Sequence, residues 1–142
     1  FIGAKMAEIF SPLKAVIISL SLMVMVLLIN YLVAANPVAI LILTFIIGIV
    51  SFMVGTPIQL AIIKASKGSE MLGSSMNQSA FNMGNASGAF FAGLPIALGY
   101  GFTSASLVGA LMAGTGIAIA VLIIVFSKSR SVSTKRKMAF NS

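Results

Sequence analysis

The sequence has no cysteine and no histidine, and its only acids are Glu8 and Glu70. Without cysteine there is neither a disulfide framework nor a thiolate metal site. Without histidine the commonest general base and metal ligand is gone. Two acids leave hydrolytic, metal-dependent and acid–base chemistry almost nothing to run on, and no nucleophile–base pair can be assembled within the apolar segments. No catalytic residue, metal site or cofactor is expected, and the chain does not read as an enzyme. Charge is itself scarce. Charged residues make up 8% of the 142, where a soluble domain carries roughly 25%.

What is present is apolar: 59% of the residues are hydrophobic and the mean hydropathy is +1.13. A chain this poor in charge cannot cover a water-facing surface, so its expected surroundings are the lipid bilayer. The net charge of +7 does not point to nucleic acid. The basic residues sit in short stretches between apolar segments and at the ends, without interleaved aromatics, as membrane-flanking charges do. The opening "FIGAKMAEIF" lacks the basic stretch, apolar core and small-residue cleavage site of a signal peptide. It reads as the end of a preceding helix, so the chain is expected to be the C-terminal part of a longer protein.

A helix needs ~20 mostly apolar residues to cross a bilayer core of about 30 Å. Four segments qualify, at residues 15–33, 37–63, 72–98 and 104–126. Residues 1–14 are read as the preceding helix end and a cytoplasmic loop, and residues 127–142 as a basic, irregular cytoplasmic tail that touches anionic headgroups or acts as a stop-transfer flank. Lys5, Glu8 and Lys14 precede the first span. Lys64, Lys67 and Glu70 lie between the second and third, and Lys128, Arg130, Lys135, Arg136 and Lys137 follow the fourth. The connections "AANP" and "GYGFT" carry no charge. All eleven charges thus fall on one side of a four-span stack, and the positive-inside rule puts that side and both termini in the cytoplasm.

The third span differs from the Ile, Leu, Val and Met of the first two. It holds Ser74, Ser75, Asn77, Gln78, Ser79, Asn82, Asn85 and Ser87. An unpaired amide in hydrocarbon costs several kcal/mol, so these groups should face protein or water. On a wheel of ~100° per residue, Ser74, Gln78, Asn82, Asn85 and Ala89 share one stripe. Gly84 and Gly88 form a neighbouring one, and Met76, Ala80, Met83, Phe90 and Phe91 lie roughly opposite, joined by Ser87. Two roles fit the polar stripe: hydrogen bonding between helices, or lining a hydrophilic pathway. Three amides on one face favour the pathway, with Gln78, Asn82 and Asn85 facing a cavity and Ser74 behind them. Gly84, Gly88 and Gly93 read as packing residues that let backbones approach, and Gly109, Ala113 and Gly116 read the same way. The second span adds Ser51, Thr56 and Gln59, of which Thr56 and Gln59 are candidate cavity residues. Pro57 predicts a bend there, serving either gating or a static kink.

The run "SSMNQSAFNMGNASGAFFAGLPIALGYG" resembles the penultimate helix of major facilitator superfamily exporters, in the arabinose-efflux-permease-like branch of drug and sugar proton antiporters. That branch carries an N-x-G-x-A-x-G-A-x-x-G-G pattern, matched here by Asn82, Gly84, Ala86, Gly88, Ala89 and Gly93. Ala92 stands where the first of the last two glycines is usual, which keeps a small residue. "IGAKMAEIFSPLKA" is similar to a degenerate copy of the family's G-x-x-x-D-R-x-G-R loop. Gly3 and Lys14 keep their character, Glu8 stands near the acid, and Ile9 replaces the base.

The resemblance covers nearly the whole chain. It implies an all-α polytopic membrane protein whose four spans are helices nine to twelve of a twelve-helix bundle, in a bacterial inner membrane. It further implies efflux of a small organic solute, sugar or drug-like, by proton antiport. The partners are then that solute, the lipid bilayer and the missing N-terminal helices of the same transporter. The family's proton-coupling acids usually lie in that missing half, and no charged residue falls within any span here. A structural membrane subunit, packing with partner helices and carrying no solute, is the other reading.

Overall fold

The computed structural model describes the backbone of residues 11–140 and the side chains of residues 11–127. Gly3, Lys5, Glu8, Ile9 and the side chains of the basic tail therefore lie outside the described residues. Four helices follow one another: α1 (Pro12–Leu32), α2 (Pro37–Ala65), α3 (Glu70–Ala97) and α4 (Ser104–Phe140).

Each boundary has a local cause. Pro12 and Pro37 open α1 and α2 at first-turn positions, where the missing N–H has no intrahelical partner to lose. Asn36 caps α2, its Oδ1 accepting from the N–H groups of Val38 (3.0 Å) and Ala39 (3.2 Å). Gly68, Gly99 and Gly101 have φ near +83°, +86° and +82°, the left-handed region that glycine enters without penalty, and they turn the chain into and out of α3. The Glu70 carboxylate, just before the third span, accepts the Gly68 N–H at 3.0 Å. That bond, with one from its own N–H, holds its carboxyl below the ordinary carboxylate range. The turn keeps this brace above that range and loses it as pH falls through the lowered value.

At 1.5 Å per residue, the 21 residues of α1, 29 of α2 and 28 of α3 reach about 32, 44 and 42 Å. All exceed the bilayer core. Among the described residues, Pro12–Leu32, Pro37–Ala65 and Ser104–Ser127 are apolar enough as well as long enough to cross on composition alone. The amides and hydroxyls of α3 keep it below that mark. Its short connections to α2 and α4, against both of which it packs, make it run antiparallel to them along the same bundle. The backbone of α4 continues as helix to Phe140, whereas the sequence predicts an irregular tail after residue 126. Lysine and arginine end the apolar run, but they are good helix formers, so the membrane span ends and the helix does not.

The helices form a ring. α1 packs extensively on α2 and α4, while α3 touches α2 and α4 more lightly, and α1 does not touch α3. Lipid is as apolar as leucine, so close packing of small residues has to supply the attraction. Here Gly109 and Gly116 of α4 meet Leu27 and Leu20 of α1. A Cβ on either glycine would lie 3.2 Å from a leucine methyl. Ala110 and Ala120 are buried on α4, as are Ala15, Val16, Ser19 and Val26 on α1. Ser106 Oγ donates to Asn30 Oδ1 across the same interface at 2.9 Å. The packing role expected of Gly109 and Gly116 is met by this α1–α4 contact.

α3 is pinned to α2 at its charged end. Gly73 is buried, and a Cβ there would lie 2.6 Å from Ser66 Cβ, closer still to Ser66 Oγ, and 3.4 Å from an Ile62 methyl. Gly73→Ala is expected to destabilise the protein by about 1–3 kcal/mol, as overpacking does. Adding Ser66→Gly, which removes both obstructing atoms, should recover most of the loss. Thermal unfolding of the full-length protein in detergent reads both effects, and a midpoint unmoved by Gly73→Ala would show that the two helices do not meet there.

Candidate functional site: an uncharged hollow beside an amide stripe

Beyond the Gly73 contact an open hollow of about 390 Å³ lies along α2 and against Phe81 of α3. It is lined by Ser51, Phe52, Gly55, Thr56, Gln59 and Leu60 of α2 and by Phe81 of α3. These α2 residues recur at three- and four-residue spacing, so they share one broad face of the helix. Two hydroxyls in it are turned back on their own helix: Ser51 Oγ donates to Ile47 O at 2.8 Å and Thr56 Oγ1 to Phe52 O at 3.4 Å. A hydroxyl has one proton and two acceptor positions, so both present acceptor capacity to the hollow. Phe52 and Phe81 supply two phenyl rings, and no lining residue is charged. Such a lining complements an uncharged molecule with an apolar face and a few hydrogen-bonding groups. Among the described residues no cluster of three or more His, Cys, Asp or Glu side chains exists.

The floor of the hollow is a three-residue clasp. Gln59 Nε2 donates to Ser74 Oγ at 2.8 Å, and Gln59 Oε1 accepts from Asn77 Nδ2. One amide of α2 thereby ties two polar residues of α3. Gln59, expected to face a cavity, does so and also bridges the helices. Ser74, placed by the sequence on the stripe behind the cavity amides, is taken up by this interhelical bond. Asn77, which the stripe did not include, completes it. Ser74, Asn77 and Phe81 stand three and four residues apart and so share the α2-facing side of α3. That spacing was the signal for Asn77 and Phe81. Pro57 lies two residues from Gln59, fully buried, and α2 stays helical through it.

Gln78, Asn82 and Asn85 behave differently. All three are exposed and none lines the hollow, whose one α3 residue is Phe81; among the described residues their side chains take part in no hydrogen bond. The contrast with the serines of the same helix is instructive. Ser75 Oγ donates to Met71 O (3.0 Å) and Ser79 Oγ to Ser75 O (3.1 Å), and Ser87 likewise bonds the Met83 carbonyl. A serine can satisfy its proton on the preceding turn. A carboxamide, with two donor protons and two acceptor positions, is not satisfied in that way. Gly84, Gly88 and Gly93 also face open space, with no atom within 4 Å of a Cβ built on any of them. The helix that carries the polar stripe and the small-residue stripe therefore leaves both unpartnered among the described residues.

No family model matches the chain, and no solved structure matches it. Named relatives do. AraJ of Escherichia coli K12, described as a transporter, is 27% identical over 125 residues, which cover 88% of this chain and 32% of AraJ. YdhP of the same strain, named an inner membrane transport protein, is 33% identical over 132 residues, covering 92% of this chain and 32% of YdhP. YdhP of Escherichia coli O157:H7 matches to the same extent. The chain thus spans about a third of the length of the curated relatives it matches. Nearly all of it aligns with proteins named for transport, and it folds into four helices of membrane length: the chain belongs to the major facilitator superfamily.

Proposed function

We propose that the chain forms helices nine to twelve of a bacterial inner-membrane exporter and one wall of its solute pathway. The wall is the face shared by α2 and α3, from the uncharged hollow to Gln78, Asn82 and Asn85. The observation that carries this reading is the exposure of three unpaired amides on a helix of membrane length. Hydrocarbon would charge several kcal/mol for each, so water, solute or another helix must meet them. α1 and α4, locked together by Leu20, Leu27, Gly109 and Gly116, serve as the outer scaffold toward lipid.

The solute is a small uncharged organic molecule, sugar or drug-like. The hollow offers phenyl faces, hydroxyl acceptors and one amide, and an anionic solute would call for a lysine or arginine that the lining lacks. Export is driven by exchange for protons. The acid that couples them belongs to the other helices of the transporter, since no acid lies within any of these spans. Gly84, Gly88 and Gly93 pack against those same helices. The positive-inside distribution of charge puts both ends of the chain in the cytoplasm. The Gln59–Ser74–Asn77 clasp favours a purely structural role for those three residues. It accounts for none of the three exposed amides.

Asn82→Leu in the full-length protein should insert normally and lower export at least tenfold. The assay is efflux from cells loaded with a labelled monosaccharide or an uncharged fluorescent dye, whichever the unaltered protein exports. Export at the normal rate would remove Asn82 from the pathway, and failure to insert would assign it to helix packing.

A further inference from the structure

A second concavity lies at the charged end of the α1–α2 pair, about one turn further along α2 than the hollow described above and sharing no lining residue with it. It measures about 190 Å³ and is lined by Ser11, Pro12 and Leu13 from the start of α1 and by Ala61 and Lys64 from the last turns of α2. Its composition is graded. Pro12, Leu13 and Ala61 are apolar, and one hydroxyl and one ammonium group stand with them. Ser11 precedes α1, its side chain caps no N–H of that helix, and its hydroxyl carries one proton that it can donate to a ligand in the groove. Lys64 lies one residue before the end of α2, at the level where an apolar span gives way to headgroups. The only acid among the described residues, Glu70, spends its carboxylate on the Gly68 N–H. Among the described residues no lining group of the groove is negative, and Lys14 and Lys67 add positive charge at the same end.

We propose that this groove is a binding site for one anionic phospholipid of the cytoplasmic leaflet. The headgroup phosphate pairs with the Lys64 ammonium and accepts the Ser11 hydroxyl, while the first methylenes of an acyl chain lie along Leu13 and Ala61. Charge complementarity selects the occupant. A polybasic membrane face attracts anionic lipid in general, but a groove with an apolar floor and a cationic rim holds a particular molecule in place. The site rests on α1 and α2 alone and is independent of whether α3 lines a solute pathway.

Native mass spectrometry of the full-length protein, titrated with phosphatidylglycerol and, separately, with zwitterionic phosphatidylethanolamine, tests the proposal. The unaltered protein should retain one phosphatidylglycerol more tightly than any further ones. Lys64→Gln should weaken that first binding about fivefold, the effect of one lysine at a membrane surface. Ala61→Phe, which fills the groove and keeps every charge, should weaken it as much, and Lys67→Gln should leave it unchanged. Equal losses from Lys64→Gln and Lys67→Gln, or full retention by Ala61→Phe, would reduce the effect to diffuse surface charge and overturn the site. Equal retention of the two lipids would overturn it as well.

Discussion

In the bilayer core, a polar group without a partner cannot turn to water, and the rest of this structure follows from how each one is met. Backbone groups are met inside four helices, as they must be in lipid. Five hydroxyls on α2 and α3 are met one turn back, by the carbonyls of Ile47, Phe52, Met71, Ser75 and Met83. Gln59, Ser74 and Asn77 meet one another across two helices, and Asn30 meets Ser106 across another pair. Once these are satisfied, the buried Ser19 hydroxyl of α1 is left without a partner, and Gln78, Asn82 and Asn85 remain as the carboxamides without one among the described residues. Their exposure is an unpaid debt that a surface beyond this chain has to settle.

This accounting divides the bundle into two kinds of side. Between α1 and α4 the contact is close, leucine against glycine, with a single interhelical side-chain hydrogen bond among the described residues. Between α2 and α3 the contact is lighter, carried by the Gln59–Ser74–Asn77 clasp and the Gly73–Ser66 approach, with an open hollow beside it. Close packing resists deformation, whereas a pair joined by a clasp and one glycine contact has fewer interactions to lose. The hollow, the unpaired amides and the unfilled glycine stripe all lie on the looser pair, where a solute pathway or a neighbouring half of a transporter would have to be.

The helices were legible in the sequence because their boundaries are written in residue types. Pro37 and Asn36 start α2 where expected, and the glycines of "GYGFT" end α3 one residue from the expected boundary. The end of α4 was misjudged because charge marks the edge of the membrane and not the edge of a helix. The site was legible in part. A wheel places Gln78, Asn82 and Asn85 on one face; all three are exposed, as are Met76 and Met83 on the other side of the helix, so what marks the three is their unpaired amide chemistry. A wheel of α3 alone cannot tell which of its polar residues lies within reach of Gln59 on another helix. Ser74 was therefore grouped with the cavity amides, and Asn77 was left aside. Phe52 and Phe81 went unnoticed because, in a membrane segment, a phenylalanine that lines a hollow reads like one that faces lipid.

The central claim is that the amide flank of α3 faces water within the membrane. This stretch contains no native cysteine, so single cysteines placed at Asn82 and at Met83, on opposite flanks of the same turn, can be offered a membrane-impermeant thiol reagent in the full-length, membrane-inserted protein. The account predicts rapid labelling at position 82 and little at position 83. Equal labelling at the two, or protection of position 82, would contradict it.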